Sequence, residues 1–590
     1  MDTVTITING RQVDVPPGTT VLNAARQAGI DIPTLCHFPS LIPIGACRLC
    51  LVEVKGQRNP QPACTFPVTQ GMEVQTDTPR LYEMRKFILS MLFSERNHFC
   101  PYCELSGSCE LQDLGYRFGL DHFLFETYTK PFPLDASHRH LVIDHNRCVL
   151  CARCIRACSE IAANHTLGLG NRGAATLISC DADAPWGEST CVSCGTCAQV
   201  CPTGAIIDRR SSYMGRNRQL DRVASACNRC SVVCAMKVAV RGGRVVRIES
   251  DWEAPVNGGL LCERGRFEPL HDERERVTEP MIRREGRLMA ATWDDALEAA
   301  AEKLRGAGGA DLGVAVSGDA TNEALYTAAK LFREDLGASY LGLLNRNVPK
   351  LSGRSGTLAD LATSDLVIVV GVDLMKEMPV AAYLSKRAVD KGARLIVVDD
   401  GDNGLAPFAS LTVPTSDIAS AVAAAAAAGR PVVLHGGVTG ETAEALKKIA
   451  DKASFIAMQP GVNAFAATAL GFNGDGRAAG TKVLYMILGE QTVGQVIPGQ
   501  FTIVQAAFRS PAVEGADIVL PSAVWSERAG SLTSTDGRIL KADKAVEPAG
   551  SAKADWEILA LLAQKMGKKS LSFDETSQAA LIEIKGKERA

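Results

Sequence analysis

Cysteine is missing from more than half of the chain. The sequence holds 590 residues and 20 cysteines, and none of these cysteines follows Cys262. An uninterrupted apolar run long enough for a transmembrane helix is missing too, because the alanine-rich piece 420–429 is too short. A net charge of −3 gives no excess of positive charge of the kind that binds nucleic acid. These absences predict a multidomain globular protein with neither direct membrane insertion nor a nucleic-acid partner.

The first ten residues, MDTVTITING, lack a basic n-region and an apolar h-region, so we expect no Sec signal. A secreted disulfide protein would be short and would not cluster its cysteines in CxxC runs. The spacing therefore favours metal binding in a reducing compartment. We expect a cytoplasmic protein that reaches a membrane only through its partners.

Nucleotide-binding motifs are missing as well. Gly168, Gly170 and Gly173 spell G-x-G-x-x-G, but they fall between two cysteine runs rather than between a strand and a helix. The segment 306–313 fits no phosphate loop, and no Walker sequence occurs. We therefore predict that neither NAD nor a flavin binds to this chain.

The segment 148–201 contains two C-x2-C-x2-C-x3-C runs, and Pro202 follows the second. This is the spacing of a bacterial two-cluster ferredoxin, in which the fourth cysteine of each run ligates the cluster of the other run. The alternative, two zinc ribbons, would use paired CxxC knuckles. The spacing predicts two [4Fe–4S] clusters, one held by Cys148, Cys151, Cys154 and Cys201, the other by Cys158, Cys191, Cys194 and Cys197.

Alternating residues around Asn9 and Gly10 predict a hairpin, and the apolar spacing of TTVLNAARQAG predicts a helix after it. A hairpin, a helix and then cysteines suggest a β-grasp ferredoxin, with a longer first cysteine loop than the plant-type pattern. Gly45 and Ala46 are small enough to let backbone N–H groups approach the sulfurs. We predict a [2Fe–2S] centre, with incidental thiols as the alternative, held by Cys36, Cys47, Cys50 and Cys64.

A segment with helical character, 81–97, leads to one histidine and three more cysteines. Three thiolates need a fourth ligand to hold a cubane, and neutral imidazole binds iron well. A lone histidine is usually structural, but its three neighbours favour ligation. Cys180 is the alternative fourth ligand, and otherwise a buried thiol. We predict a [4Fe–4S] cluster, at a raised potential because imidazole is uncharged, held by His98, Cys100, Cys103 and Cys109.

The last cysteine set has the spacing x2, x3 and x27, and predicts a fourth cubane held by Cys227, Cys230, Cys234 and Cys262. Five clusters, one [2Fe–2S] and four [4Fe–4S], would bring about 18 irons to each chain. Such clusters exchange single electrons with little structural rearrangement. Five clusters in one chain can therefore pass electrons from one to the next. No side chain is assigned a catalytic role.

The cysteine-free half alternates strand-like and helix-like segments. A hairpin-like start precedes a helix that begins near Trp293, and apolar runs follow at 366–371, 394–400, 431–437, 482–490 and 503–508. Strands alternating with alanine-rich helices predict an α/β domain with a largely parallel sheet.

The order of the cysteine sets resembles the iron–sulfur part of the NADH-G subunit of complex I and the electron-input module of NAD-linked [NiFe] hydrogenases and formate dehydrogenases. The second half resembles the molybdopterin oxidoreductase fold, on the stretches CNRCSVVC…NGGLLCERGR, REGRLMAATWDDAL, SDLVIVVGVDLMKEMPV and ADIVLPSAVWSERAGSLTSTDGR. The resemblance implies α+β ferredoxin modules followed by an α/β domain with a mainly parallel sheet. The expected boundaries are 1–79 (β-grasp [2Fe–2S]), 80–139 (helical His-Cys), 140–217 (double ferredoxin), 218–275 (distal [4Fe–4S]) and 276–590 (molybdopterin-oxidoreductase-like).

Several departures from the family pattern bear on the expected roles of His98, of the ferredoxin quartets and of the second half of the chain. Only one residue separates His98 from Cys100, where the family commonly has three. Both ferredoxin quartets are complete, as in the hydrogenase and formate dehydrogenase relatives. The second half is short, has no cysteine, and has no histidine between His271 and His435. Ser531, Ser534 and Asp536 stand where the family often has Thr, Asn and Glu. The resemblance therefore implies a truncated domain without molybdopterin.

The resemblance implies an electron-transfer subunit of an NAD(P)H-linked oxidoreductase complex. Electrons would pass between a flavin (FMN) NADH-dehydrogenase subunit, with its small [2Fe–2S] subunit, and a second redox partner such as a [NiFe] hydrogenase or a complex I arm. One alternative is a self-contained molybdenum or tungsten enzyme of the formate dehydrogenase type. Another is a noncatalytic scaffold with structural clusters.

Overall fold

The computed structural model describes residues 3–122, 124–126, 131–345, 348–474, 480–493 and 500–588. The chain divides into two compact units, Met1–Leu220 and Asp221–Ala590. In the ranges just given, no helix is both long and apolar enough to cross a bilayer.

The first unit contains three small sheets. One has the order β2-β1-β5-β3-β4, the second β10-β7-β6, and the third pairs β8 with β9. Its strands are β1 Val4–Ile8, β2 Arg11–Val15, β3 Leu51–Val54, β4 Gln61–Pro62, β5 Glu73–Gln75, β6 Leu134–Asp135, β7 Leu141–Asp144, β8 Leu167–Gly170, β9 Leu177–Cys180 and β10 Ile206–Asp208.

The predicted hairpin and helix are confirmed. Asn9 and Gly10 both take positive φ, at 49° and 80°, as a two-residue hairpin turn requires. Thr20 caps the helix after the hairpin by accepting the N–H of Asn23 at 3.3 Å. The α-helices of this unit are α1 Val21–Gln27, α2 Pro79–Glu95, α3 Glu110–Arg117, α4 Arg153–Arg156 and α5 Thr196–Val200.

The glycines at 168, 170 and 173 lie in β8 and in the turn that leads to β9. β8 and β9 form an antiparallel pair, with Leu167 opposite Cys180. The expectation that this G-x-G-x-x-G lies outside any strand–helix–strand unit is therefore confirmed.

The second unit begins with an antiparallel sheet of order β11-β12-β13. A six-stranded parallel sheet has the order β18-β23-β22-β19-β20-β21, and a seven-stranded sheet has the order β15-β14-β26-β25-β24-β16-β17, antiparallel only where β15 and β14 join its edge. Its strands are β11 Asp221–Ala226, β12 Ala235–Arg241, β13 Arg244–Ser250, β14 Met281–Arg284, β15 Arg287–Ala290, β16 Leu312–Val316, β17 Tyr340–Leu343, β18 Arg354–Ser355, β19 Leu366–Val370, β20 Arg394–Val398, β21 Leu411–Val413, β22 Pro431–His435, β23 Ser454–Ala457, β24 Val483–Gly489, β25 Phe501–Ala506, β26 Ile518–Pro521, β27 Gly530–Thr533 and β28 Ile539–Ala542.

All five predicted apolar runs are strands, and both large sheets are mainly parallel. The helix predicted at Trp293 buries Ala296, Leu297, Ala300 and Leu304 along one face. The α-helices of this unit are α6 Glu263–Arg266, α7 Trp293–Ala307, α8 Asn322–Ala328, α9 Leu374–Glu377, α10 Pro379–Asp390, α11 Ile418–Ala427, α12 Gly440–Lys447, α13 Ala464–Ala469, α14 Pro511–Gly515, α15 Asp555–Lys565 and α16 Phe573–Glu588.

Candidate metal centres

Cys36, Cys47, Cys50 and Cys64 lie together in the first unit. The N–H of Cys36 donates to the sulfur of Cys47 at 3.4 Å, and the N–H of Cys47 donates back to the sulfur of Cys36 at 3.4 Å. The hydrogen bond with Cys50 lowers the pKa of Cys64 to about 7 against the effect of burial.

Backbone N–H groups point at these sulfurs. The N–H of Gly45 lowers the pKa of Cys64 after the larger effect of Cys50, and the N–H of Ala46 lowers the pKa of Cys36 after the larger effects of Cys47. Gly45 has a φ of +63°, and a Cβ there would come within 3.3 Å of Thr65. These donors would stabilise thiolates, whether free or bound to iron.

His98, Cys100, Cys103 and Cys109 line one cavity of about 320 Å³, including its open mouth. Burial raises the pKa of Cys109 to about 12, and the thiols of Cys103 and Cys100 add to the rise. Arg147 also lines the cavity. The single residue between His98 and Cys100 therefore does not keep the histidine away from the three thiols.

The ring of His98 is oriented by a backbone contact. Its Nε2 lies 3.1 Å from the carbonyl oxygen of Leu92. A carbonyl only accepts, so Nε2 carries the proton and Nδ1 keeps the lone pair. Burial lowers the pKa of His98 to about 4, which keeps the imidazole neutral at physiological pH. A neutral ring with a free lone pair is the form that binds metal.

The last cysteine of the second ferredoxin run lies beside the first run. A cavity of about 330 Å³, including its mouth, is lined by Cys148, Cys151, Cys154 and the distant Cys201. Burial raises the pKa of Cys148 to about 11 and that of Cys151 to about 12, and the Cys201 thiol contributes to both shifts.

The other four cysteines of these runs also lie together. Burial raises the pKa of Cys197, and the thiols of Cys194, Cys191 and Cys158 all add to it. The two runs have the same backbone shape. Leu150 and Ser193 have φ of 50° and 53°, and Ala152 and Gly195 have φ of 55° and 68° just before α4 and α5.

Cys180 lies apart from the His98 cavity. It ends strand β9, is 7% exposed, and has a pKa that burial raises to about 12, with Cys191 and Cys158 adding to the shift. The cavity with Cys100, Cys103 and Cys109 has His98 and not Cys180 in its wall. The geometry therefore favours His98 over Cys180 as the fourth ligand of that set.

In the second unit, Cys227, Cys230, Cys234 and Cys262 lie together. Burial raises the pKa of Cys234, and the other three thiols add to the rise. Val233 takes a positive φ of 48°, which turns the chain between the second and third cysteine.

Two glycines leave room beside the sulfurs. A Cβ on Gly204 would clash with the Cys103 sulfur, and a Cβ on Gly265 would lie 3.0 Å from the Cys227 sulfur. Across the part of the chain that the structure describes, no three His, Cys, Asp or Glu side chains lie close enough to hold a single metal ion.

Three of the sets in the first unit border one apolar core. Cys36 and Cys151 belong to this core, and Cys47 and Cys109 pack against it. The residues Leu35, Leu89, Phe93 and Leu111 are also part of it. The spaces between these thiol sets are therefore filled with apolar protein.

Single residues also connect the sets. Thr203 lines both the His98 cavity and the Cys201 cavity, and its hydroxyl donates to the Arg147 carbonyl at 2.7 Å. Arg156, inside the first ferredoxin run, donates to the carbonyls of Ile42 at 2.6 Å and of Cys36. Neither Thr203 nor Arg156 was predicted from the sequence to connect two cysteine sets. The only signal in the sequence was that each lies within or just after a cysteine run.

Five families match successive parts of the chain. They are described as "2Fe-2S iron-sulfur cluster binding domain" (1–79), "NADH-ubiquinone oxidoreductase-G iron-sulfur binding region" (85–123), "NADH-quinone oxidoreductase subunit 3, ferredoxin-like domain" (140–207), "Molybdopterin oxidoreductase Fe4S4 domain" (220–270) and "Molybdopterin oxidoreductase" (276–434 and 440–565). The cysteine sets thus lie in cluster-binding domains of the 2Fe–2S and 4Fe–4S types.

The relatives agree with these matches. An NADH-G subunit of the NADH-quinone oxidoreductases of Rhizobium meliloti is 34% identical over 65% of this chain. The chain is therefore similar to NADH-G subunits of NADH-quinone oxidoreductases. Subunit 3 of the Thermus thermophilus NADH-quinone oxidoreductase is 28% identical over 96% of the chain, and NADPH-Fe(3+) oxidoreductase subunit alpha of Geobacter sulfurreducens is 28% identical over 95%.

The chain spans different shares of these relatives. It spans 46% of the Rhizobium meliloti protein, 81% of the Geobacter sulfurreducens protein and 83% of the Thermus thermophilus protein. A chain of an NAD+-reducing [NiFe]-hydrogenase is 37% identical over 36% of this chain, but its TM-score of 0.34 is too low to compare the architectures.

In the molybdopterin-oxidoreductase-like domain, three polar side chains form hydrogen bonds within the chain. Ser531 donates to Glu323 at 2.8 Å, and Asp536 accepts the Leu358 N–H at 2.9 Å and the Arg538 guanidinium at 2.9 Å. Ser534 donates to Asp536. These three side chains therefore already have partners within the chain.

One cavity in this domain was not predicted. It occupies about 410 Å³, including its mouth, at the carboxyl ends of β22 and β23, where parallel sheets commonly bind ligands. His435 is 1% exposed, and its Nε2 has no hydrogen-bond partner among the described residues. The only signal in the sequence is the Gly-Gly that follows this strand.

Proposed function

We propose that this chain relays single electrons through five iron–sulfur clusters within an NAD(P)H-linked oxidoreductase complex. The ligand sets are Cys36, Cys47, Cys50 and Cys64 for a [2Fe–2S] cluster, and, for four [4Fe–4S] clusters, His98 with Cys100, Cys103 and Cys109; Cys148, Cys151 and Cys154 with Cys201; Cys158 with Cys191, Cys194 and Cys197; and Cys227, Cys230 and Cys234 with Cys262. His98 would bind through Nδ1, because its Nε2 already faces the Leu92 carbonyl.

The observation that carries this proposal is the shared core of the first unit. Cys36, Cys109 and Cys151 come from three sets and border one apolar cluster. Thr203 is common to two cavities. Clusters with a purely structural role need not share a protein core, whereas electron transfer requires neighbouring clusters to lie close together.

When bound, the clusters supply one-electron exchange. The cysteine and histidine ligands would hold the irons, and the surrounding residues would exclude water and balance charge. Burial raises the pKa of Cys148 and Cys151, so both thiols release protons when a metal binds. Arg153, whose guanidinium is 3% exposed, pairs with Glu110 at 2.6 Å and so places one compensated charge near these sulfurs. Such outer contacts set cluster potentials.

The partners follow from the relatives as a further part of the proposal. The Rhizobium meliloti and Thermus thermophilus proteins are subunits of NADH-quinone oxidoreductases, and the Geobacter sulfurreducens protein belongs to an NADPH-Fe(3+) oxidoreductase. A flavin-bearing NADH-dehydrogenase subunit would therefore deliver electrons at one end. A [NiFe] hydrogenase or a complex I arm at the other end stays a prediction.

The molybdopterin-oxidoreductase-like domain would serve as a scaffold without molybdopterin. Ser531, Ser534 and Asp536 bond within the chain, which supports this role. No observation favours the alternative of a molybdenum or tungsten enzyme.

The test is metal analysis and reduction of anaerobically purified protein. We expect about 18 irons per chain and no molybdenum or tungsten. NADH should reduce the clusters only after the flavin subunit is added. A colourless protein loaded with zinc would refute the relay. One tightly held molybdenum per chain would refute the scaffold role, and clusters that stay oxidised in the assembled complex would favour structural clusters.

A further inference from the structure

Arg156 is a buried cation whose hydrogen bonds all go to backbone carbonyls. The residue is 8% exposed, and across the residues that the structure describes no carboxylate forms an ion pair with it. The carbonyl partners are those of Ala152 at 3.3 Å, Cys151 at 3.4 Å, Ile42 at 2.6 Å and Cys36. A guanidinium stays charged at every physiological pH. Carbonyls satisfy its N–H groups but leave a buried positive charge without a counter-charge, which is costly.

The guanidinium joins the backbones of two ligand sets. Its Nη2 donates to the carbonyl of Cys36, a proposed ligand of the [2Fe–2S] cluster, and at 3.4 Å to the carbonyl of Cys151. Both cysteines are buried in the same apolar core. Cys151 belongs to the cluster that we call the first cubane, held by Cys148, Cys151, Cys154 and Cys201. One side-chain nitrogen therefore contacts a ligand residue of each set.

A second pair of contacts holds the loop between Cys36 and Cys47 against the ferredoxin segment. Nη1 of Arg156 donates to the Ile42 carbonyl, and the Ile42 N–H donates to the Glu160 carboxylate at 2.8 Å. Both polar backbone atoms of one loop residue are thus bound by side chains only four positions apart. The Glu160 carboxylate serves this N–H and forms no ion pair with Arg156. The position of the guanidinium between the two sets is therefore fixed from several directions.

The second ferredoxin run has a neutral residue at the corresponding position. Arg156 comes two residues after Cys154, the third cysteine of the first run. Two residues after Cys197, the third cysteine of the second run, the chain has Gln199. The first run, which contacts the [2Fe–2S] loop, thus carries a positive charge where the second run carries an amide.

We infer that Arg156 is a counter-charge shared by the [2Fe–2S] cluster and the first cubane, and that it raises the reduction potentials of both. The inference rests on the proposed function, since it needs both clusters. A cluster held by four thiolates is negatively charged, and reduction adds one electron without forming or breaking a bond. A nearby positive charge stabilises the reduced form more than the oxidised form, and burial limits screening of the attraction. Arg156 is a positioning residue, because it acts through the ligand residues.

The test compares two variants of Arg156 in the full chain with its clusters. Arg156→Gln removes the charge and introduces the residue type of the second run, whereas Arg156→Lys keeps the charge. Titration with dithionite, followed by EPR, should show that the [2Fe–2S] cluster and one cubane of Arg156→Gln are both harder to reduce. We expect about a tenfold lower reduction equilibrium constant for each, which is about 59 mV for one electron. Arg156→Lys should keep both potentials close to those of the unsubstituted protein.

Arg283 offers a matched control in the cysteine-free region. Its guanidinium also binds backbone carbonyls, those of Ala516 at 2.9 Å, Gly286 at 2.8 Å and Glu514. Arg283→Gln therefore removes the same kind of group from a strand of the seven-stranded sheet. It should leave every cluster potential unchanged.

A second measurement needs no substitution at Arg156. In the unsubstituted protein, the EPR signal of the reduced [2Fe–2S] cluster should broaden as one cubane is reduced, because clusters that share a side chain lie close enough for their spins to interact. Cys151→Ser, which removes a ligand of the first cubane, should abolish that broadening. A [2Fe–2S] signal that stays sharp throughout the titration would show that no cubane is its neighbour.

The outcomes separate the inference from the relay. Loss of clusters from Arg156→Gln but not from Arg156→Lys would also support the counter-charge, since both variants lose the planar guanidinium and only one loses the charge. Full iron with unchanged potentials in Arg156→Gln, an equal shift or loss in Arg156→Lys, or the absence of broadening would overturn it and leave the relay intact. Unsubstituted protein without these two clusters would overturn the relay itself.

Discussion

The cysteine-bearing and cysteine-free regions are stabilised in different ways. Around the cysteines, helices such as α4 have only four residues, and non-glycine residues such as Arg48, Leu150 and Val233 take positive φ. Each such residue costs about 1–3 kcal/mol. In the cysteine-free region, strands such as β19 and β24 are buried along their whole length. Both regions have apolar cores, but under the proposed function bound clusters would offset the backbone strain of the cysteine-bearing region.

The largest expected effect comes from removing one thiolate. Cys151→Ser should remove about four irons and one cubane signal, because the hydroxyl is a poor ligand for iron. Ser531→Ala, in the cysteine-free region, should leave the iron content unchanged although it removes a 2.8 Å bond to Glu323. Iron analysis and EPR of both variants check this. Equal iron in Cys151→Ser and the unsubstituted protein would break the comparison.

The next effect separates the two candidates for the fourth ligand beside Cys100. His98→Ala should alter or abolish one cubane EPR signal and spare the others, because His98 lines that cavity. Cys180→Ser should leave all signals in place. His98→Cys, as a matched replacement, should keep the cubane at a lower potential, since a thiolate adds negative charge. An unchanged spectrum for His98→Ala, with a signal lost in Cys180→Ser, would reverse the assignment.

Within the cysteine-free region, the stability of the core depends on a buried ion pair. Arg528 and Asp555 pair at 2.7 Å with side chains 4% and 0% exposed. Asp555→Asn should destabilise the fold by about 3–5 kcal/mol, because it leaves the guanidinium buried without its counter-charge. Glu547→Gln, at an exposed pair, should change stability by less than about 1 kcal/mol. Denaturant unfolding measures both, and equal midpoints would contradict this view of the core.

A glycine substitution should act oppositely in the two regions. Gly204→Ala should reduce the iron bound beside Cys103, because the added methyl meets that sulfur. Gly306 lies in α7 with open space around it, so Gly306→Ala should stabilise the protein by about 0.5–1 kcal/mol without changing the iron content. Iron analysis and thermal unfolding of both variants would show the contrast. Full iron content in Gly204→Ala would indicate that the backbone at Gly204 can shift away from the Cys103 sulfur.

A further effect is a pH dependence in the cysteine-free region. Burial raises the pKa of Asp319 to about 7, and the Glu490 carboxylate adds to the rise, while Arg528, Arg229 and Arg274 oppose it. The folded state therefore holds a proton that the unfolded state has lost, and the stability due to this group falls as the pH rises toward 7. Asp319→Asn should gain stability relative to the unsubstituted protein between about pH 5 and 8. A constant difference over that range would contradict the shift.

The local elements and the groupings of cysteines could be read from the chain. Spacing alone grouped Cys148 with the distant Cys201, because the ferredoxin pattern implies that its runs cross. The five apolar runs could be read as strands because they are short, apolar and bounded by turn residues, a pattern that is typical of buried sheet. His98 was a plausible ligand because it lies within a few residues of three thiols.

The division of those strands between two sheets was not readable, because strand order depends on pairings between residues far apart in the chain. Cys180 illustrates the same limit. From the sequence it could be a buried thiol or the fourth ligand beside Cys100, and only the folded chain, with β8 paired to β9, placed it near Cys158 and Cys191.

Sequence by itself determined what kinds of ligand this protein offers and how they group, since ligand spacing is a local property of the backbone. The tertiary structure decided which groups share walls, such as Thr203 between the cavity of His98 and the cavity of Cys201. Those contacts join residues far apart in sequence, and packing alone brings them together.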